Sequence, residues 1–167
     1  MNAIEQIVDE LAAAIKNDGV LVLRANDVEK TLTRVLLRGE AAEEIERATT
    51  FPYSGLTGRA IERRTPMVVN DAHLDPRAII YSDPVHPEAI ALVPLLREGE
   101  VVGCLNVYRD GEGPLFADDD LAHVQPFADR LAAVSRSPPG GAFASLLPRA
   151  GALRPGGVRA RLRRRIA

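Results

Sequence analysis

A chain of 167 residues with 23 acidic and 21 basic side chains is long enough for one domain with a substantial core. Tryptophan is absent and aromatic residues make up 4%, so aliphatic side chains must carry that core, and stacking on nucleic-acid bases has little to draw on. The single cysteine, Cys104, excludes an internal disulfide and a cysteine-based metal cluster. No run of about eighteen apolar residues marks a membrane span, and Met1-Asn2-Ala3-Ile4-Glu5 lacks the basic-then-apolar layout of a secretion signal. A soluble, cytoplasmic protein is expected.

In chain order, Ile4, Ile7, Val8, Leu11 and Ile15 repeat at the spacing of one helical face. They predict a helix over 2–17, capped by Asn2 with Glu5 three positions on and ended by Gly19. Residues 19–25 and 31–37 read as paired strands around the turn Asn26-Asp27. Ala41 to Ala48 is a short charged helix that Phe51-Pro52-Tyr53 breaks. Ser54 is placed to cap a helix over 55–64. Gly58 inside that helix costs about 1 kcal/mol against alanine, which implies that a second backbone passes close by. Met67-Val68-Val69 is a three-residue strand, and Asp71 to Pro87 is a loop with a possible turn of helix. Within it lie Asp71, His73, Asp75, Arg77, Tyr81, Asp83 and His86, the densest polar group in the chain.

Ala89–Leu96 and Val101–Tyr108 are two β-rich apolar runs joined by Arg97-Glu98-Gly99-Glu100, a hairpin in which Gly99 can supply positive φ. Pro94 suits an outward ladder position or a bulge, and Gly103 marks a close approach to the backbone. A final helix over 118–135 is predicted from Leu121, Val124, Ala128 and Leu131, with Asp118 as its cap and three aspartates in its first turn. Pro126 should kink it, at a cost of about 3 kcal/mol if nothing compensates.

The near-neutral charge conceals two materials. Residues 1–136 hold all 23 acidic groups and 14 of the 21 basic ones, whereas residues 137–167 hold seven arginines and no acid. Residues 1–136 are expected to form the domain and 137–167 a disordered basic tail rich in proline, glycine and arginine. The run Arg159 to Arg165 offers non-specific attraction to anionic membrane or nucleic acid, although composition favours a solvated tail. Nineteen arginines against two lysines indicate a GC-rich gene. A frameshifted remnant is therefore another reading of 137–167.

The order Gly55-x-x-Gly58, Pro66, Asp71, Asp75-Pro76-Arg77, Val93-Pro94-Leu95, Gly103-Cys104-Leu105 and Phe116 resembles the GAF domain, the small sensory module related to the PAS fold. The resemblance covers roughly residues 2 to 136. It implies an α+β fold with a central antiparallel sheet of five to six strands. The helices 2–17 and 118–135 would cover one face, with a ligand pocket on the other beneath the 71–87 loop and the 55–64 helix. It also implies a cytoplasmic, non-enzymatic module of bacterial-type signal transduction that senses a small molecule, forms a homodimer through its terminal helices, or both. The signal would pass onward to a separate output protein. Asp71, Arg77, Tyr81 and His86 are the residues expected to line or gate the pocket.

Other chemistries find weaker support. His86-Pro87 is similar to a segment that some haem-binding GAF sensors carry before the same strand, which leaves a haem-based gas or redox sensor as an alternative. A second alternative is an enzyme like the GAF domains that reduce free methionine sulfoxide, acting through Cys104. Those use several cysteines, and a strand cysteine more often behaves as a small apolar side chain. Bilin attachment usually places its cysteine in a loop or helix, and the asparagine-lysine and phenylalanine-aspartate-glutamate signature of cyclic-nucleotide binding is not present. His73, His86 and His123 have no spacing that pre-forms a metal site.

Overall fold

Ile4, Ile7, Val8 and Leu11 turn one face of helix α1, Ala3–Ala14, toward the core in the computed structural model, which describes residues 2–39, 43–79, 88–110 and 114–135, with Glu43 and Glu44 by backbone alone. The expected reciprocal cap forms. Asn2 Oδ1 accepts from the Glu5 N–H at 3.0 Å, and Glu5 Oε2 accepts from the Asn2 N–H at 2.8 Å. Gly19, however, does not end the helix. The Asn17 amide donates to the carbonyls of Ala12 and Ile15 at 3.2 and 2.7 Å, which satisfies acceptors orphaned at the helix end. Gly19 instead opens the first strand.

Strands β1 (Gly19–Asn26) and β2 (Thr31–Gly39) pair antiparallel. The turn between them is longer than Asn26-Asp27, because Asn26 Oδ1 accepts from both the Val28 and Glu29 N–H groups and holds Asp27–Lys30 as the loop. Helix α2, Glu43–Arg47, is followed by a strand and not merely a break. β3 (Thr50–Pro52) pairs with Thr31–Thr33 at the sheet edge, where a proline is tolerated. Then come helix α3 (Gly55–Arg63), β4 (Met67–Val69), one 3-10 turn (Ala72–Leu74), β5 (Glu88–Arg97), β6 (Glu100–Asp110) and helix α4 (Asp118–Val134). The six strands form a single antiparallel sheet in the order β3-β2-β1-β6-β5-β4. The α+β architecture with a central antiparallel sheet is the expected one.

The β5–β6 hairpin sits near the middle of that sheet. Glu98 and Gly99 both take positive φ, 52° and 82°, the conformation of a two-residue turn whose twist matches the strands. A bulge between Leu95 and Leu96 leaves Val102 without a partner and turns it onto the helix-bearing face. Pro94 lies past the three residues that β4 pairs with, Ile90 to Leu92, so no outer ladder needs its N–H. At Gly103, a Cβ would stand 2.1 Å from the Leu23 carbonyl oxygen, which is the close approach that the glycine predicted.

Alternation sorts the strands cleanly. Ala89, Ala91, Val93 and Leu95 pack with α1 and α4, while Ile90 and Leu92 face the opposite side with α3. One feature of α4 differs from expectation. Its N-cap is Ala117, not Asp118; alanine has no acceptor to offer, and the cap comes from Asp120 Oδ2, which accepts the Ala117 N–H at 2.8 Å. The helix runs through Pro126 without a break. Pro126 and Ala122, whose carbonyl it leaves unbonded, are both exposed, so water can serve that carbonyl.

The start of α4 is tied to the sheet from two directions. Arg109, buried in β6, donates to the Lys16 and Leu115 carbonyls at 2.7 and 2.9 Å, pairs with Asp120 at 3.1 Å and lies over the Phe116 ring. Burial works to raise the Asp120 carboxyl, but the Ala117 N–H and the Arg109 guanidinium outweigh it and hold the group below the ordinary carboxylate range. Asn70, just after β4, exchanges two 2.9 Å hydrogen bonds with the backbone of Phe116.

Candidate functional site

On the sheet face away from α1 and α4 lies a cavity of about 90 Å³, room for several waters or a small molecule. Its position follows from two glycines of α3. A Cβ on Gly58 would stand 2.9 Å from the Tyr53 carbonyl carbon, so only glycine lets the helix fold against the chain that precedes it. Gly55, at φ 67°, accepts the 71–79 loop, whose Ile79 side chain and Arg77 carbonyl come within 3.0 and 3.3 Å of where its Cβ would be. Among the described residues, the 55–63 helix, this loop and Ile45 of α2 stand over that face.

Most of the wall is aliphatic or aromatic, with Leu21, Leu23, Phe51, Leu56 and Ile90 prominent. Into it project the polar side chains of Thr57, Glu88, Asn106 and Tyr108. Asn106 is 2% exposed. Its amide donates to Thr57 Oγ1 at 3.0 Å and reaches the Tyr108 hydroxyl at 3.5 Å, while its carbonyl oxygen has no partner. A buried acceptor left unbonded costs roughly 1–3 kcal/mol. Glu88 begins β5 directly opposite Asp110, and its backbone N–H donates to His73 Nδ1 at 3.3 Å. Burial first, and the Asp110 charge second, push the Glu88 carboxyl above the usual range.

The residues singled out from the sequence fall differently. Asp71 is exposed and opens the 3-10 turn through its backbone carbonyl, which accepts the Leu74 N–H at 3.0 Å. Arg77 is exposed, and its guanidinium is committed to the Asp75 carboxylate. That carboxylate also accepts the Arg77 N–H at 2.9 Å, and together the side-chain and backbone hydrogen bonds from Arg77 hold it down to about 2. Neither Asp71 nor Arg77 lines the cavity. The Asp-Pro-Arg triplet closes on itself and so delivers Ala78 and Ile79, which do. Tyr81 and His86 fall in 80–87, outside the described residues, although Ile79 and Glu88 on either side of that segment both line the cavity. The proposed tail 137–167 lies outside as well.

Asn106, Thr57, Glu88 and Tyr108 were not among the residues expected from the sequence to line or gate the pocket. A signal existed for two of them: with period two, Cys104, Asn106 and Tyr108 share one face of β6, and an asparagine amid such apolar neighbours is the odd member. Thr57 and Glu88 carry no comparable mark.

Cys104 packs with Leu21, Leu23, Leu32 and Ile61, is fully buried and does not line the cavity. Burial pushes its thiol pKa far up, the reverse of what a nucleophilic thiolate needs. Among the described residues, no three His, Cys, Asp or Glu side chains are placed to hold a metal ion, and no imidazole lines the cavity. At about 90 Å³ the space falls well short of a porphyrin, so the described residues do not fit haem. None of the described helices is long and apolar enough to cross a membrane.

An antiparallel sheet with α1 and α4 on one face and a cavity with a few convergent polar groups on the other defines an α+β domain. The chain belongs to the GAF domain family, which it matches over residues 2–134. Among solved structures it is similar in fold to a GAF domain/HD domain protein from Geobacter sulfurreducens, with TM-score 0.68 and 15% identity over 80% of this chain and 89% of that one. It is also similar to the second GAF domain of DevS from Mycobacterium smegmatis, with TM-score 0.61 and 22% identity over 78% and 88%. A third is the free methionine-R-sulfoxide reductase from Neisseria meningitidis, solved with its substrate, with TM-score 0.63 and 21% identity over 79% and 77%. At such identities the likeness is one of fold. No curated protein matches by sequence.

Proposed function

We propose that this domain is a non-enzymatic, cytoplasmic sensor of a small molecule that binds in the cavity between the sheet and α3. The observation that carries this reading is Asn106. A carbonyl oxygen, buried, unbonded and set in an otherwise apolar wall, is a liability to the empty fold and an anchor for a ligand that donates to it. The burial of Cys104 supports a binding role over thiol chemistry.

Ligand occupancy would reach the terminal helix through the backbone clamp of Asn70 on Phe116, because Asn70 lies two residues before Ala72, a cavity wall residue. For that to signal, the ligand must bind two arrangements of loop and helix with different affinities. The shallow groove of Ala3, Gln6, Ile7, Arg130, Ala133 and Val134 between α1 and α4 is the surface on which a second copy would form a homodimer, and an output protein would read the helices. Asp71 and Arg77, with Tyr81 and His86, are proposed to gate the loop and not to touch the ligand first.

Native mass spectrometry of protein purified without added ligand tests the reading in one spectrum. A dimer that retains a defined small mass, lost in Asn106→Leu, is expected. A bare monomer, together with the absence of any thermal shift across a metabolite library, would overturn it.

A further inference from the structure

The wall of the cavity has a one-sided chemistry. Among the described residues that line it there is no lysine, arginine or histidine. Its strongest polar features are acceptors: the unbonded Asn106 oxygen and the Glu88 carboxylate. Tyr108, Thr57 and Ser54 add neutral hydroxyls. Glu88 has no ion-pair partner among the described residues, it faces a second carboxylate, Asp110, across the β5–β6 ladder, and the Asp110 N–H is already taken by Asp18 Oδ2 at 2.8 Å. An anion entering this space would meet the Glu88 carboxylate with no lysine, arginine or histidine among the described wall residues beside it, whereas a cation would relieve it.

The two acceptors are also spaced. Asn106 pairs with Leu92 and Asp110 with Glu88, so Asn106 and Glu88 share a sheet face two ladder steps apart. Four residues along a strand is about 13 Å between backbones. Ile90 and Tyr108 form the pair between them, and both line the cavity. Once the side chains reach inward, the gap suits a short apolar stem rather than a single atom.

Resting on the reading of this cavity as the ligand site, we propose that its ligand is a small aliphatic amine carrying a second hydrogen-bond donor. The ammonium group sits at Glu88, the second donor at the Asn106 oxygen, and the stem lies over Ile90. Short diamines are the simplest members of this class. Among the described residues, the charge of the wall disfavours carboxylates, phosphates and nucleotides, and its volume disfavours bulky cofactors.

The test is isothermal titration of the full chain with α,ω-diamines of two to six carbons, the diols of equal length and the corresponding dicarboxylates. The expected result is binding by one or two adjacent diamine lengths, at least tenfold weaker binding of the diol, and none by the dicarboxylate. Glu88→Gln should cost the diamine at least tenfold while leaving the diol unchanged, and Asn106→Leu should weaken both; circular dichroism of each variant confirms that the fold is kept. Equal binding of diol and diamine, or preference for the dicarboxylate, overturns the amine class and leaves the cavity standing as a ligand site. No binding in any series overturns the amine class too, and the mass retained in native mass spectrometry then decides separately whether the cavity holds a ligand.

Discussion

Replacing Asn106 with leucine should make the ligand-free protein more stable. The native side chain is 2% exposed and leaves its carbonyl oxygen unbonded, which costs about 1–3 kcal/mol. The substitution removes that acceptor, and the adjoining cavity of about 90 Å³ takes up the larger side chain without crowding. Against this stands the lost 3.0 Å bond to Thr57 Oγ1, worth roughly 0.5–1.5 kcal/mol; Thr57 is only partly buried, so its hydroxyl can turn to water. The balance is a gain of about 1 kcal/mol, or a melting temperature higher by roughly 2–8 °C for a domain of this size. Urea titration followed by far-ultraviolet circular dichroism, with unchanged slope, measures it directly. A loss of stability of 1 kcal/mol or more would show that the oxygen is satisfied in the free protein. The case for a ligand anchor would then fall.

Gly103→Ala should be severe, because its Cβ would lie 2.1 Å from the Leu23 carbonyl oxygen where Gly103 pairs with Arg24 at the end of the β1–β6 ladder. A loss of about 3 kcal/mol or more is expected from forcing two central strands apart, and chemical denaturation that shows less than 1 kcal/mol would mean the ladder yields easily there. Cys104 should resist iodoacetamide in the native protein and react readily in 6 M guanidinium, as intact-mass kinetics would show; comparable rates in both would contradict its burial. Glu88→Gln should stabilise at neutral pH. The folded carboxyl titrates above its ordinary 4.5 through burial and the Asp110 charge, so the folded state holds the proton more tightly and parent stability falls as pH rises through that window. The variant's advantage should be present above the window and vanish below pH 4.5; an advantage that grows toward acid would reverse the assigned sign.

Backbone-level features were legible because each rests on a local rule with one reading. Gly58 and Gly103 stood where an alanine would have been the ordinary choice, and each proved to mark a carbonyl in near contact. Asn2 with Glu5 formed its cap as their spacing dictates. The misreadings share a different cause. Gly19 and Asp118 were each expected as caps by residue type, yet those ends were decided by partners brought in from nearby. Asn17 reached back to Ala12 and Ile15, and Asp120 reached back to Ala117, whereas Ser54 takes its expected N-cap place without a bond from its hydroxyl. Phe51-Pro52 reads as a break in isolation and becomes an edge strand only because β2 lies open beside it.

The site was harder to see for a reason rooted in the same physics. A cluster of charges in one loop draws attention, but Asp75 and Arg77 satisfy each other and are thereby spent on holding the loop. What gives the cavity its chemistry is the opposite kind of residue, one whose polar group the fold does not satisfy. Asn106 and Glu88 come from different strands, eighteen positions apart in the chain; Asn106 stands out among its apolar neighbours, but nothing joins it to Glu88 until pairing in the sheet sets them on one face with α3 above. A sequence can show that a polar residue is present. Only the fold shows that it has been left without a partner, and a buried group in that state is where a ligand gains most.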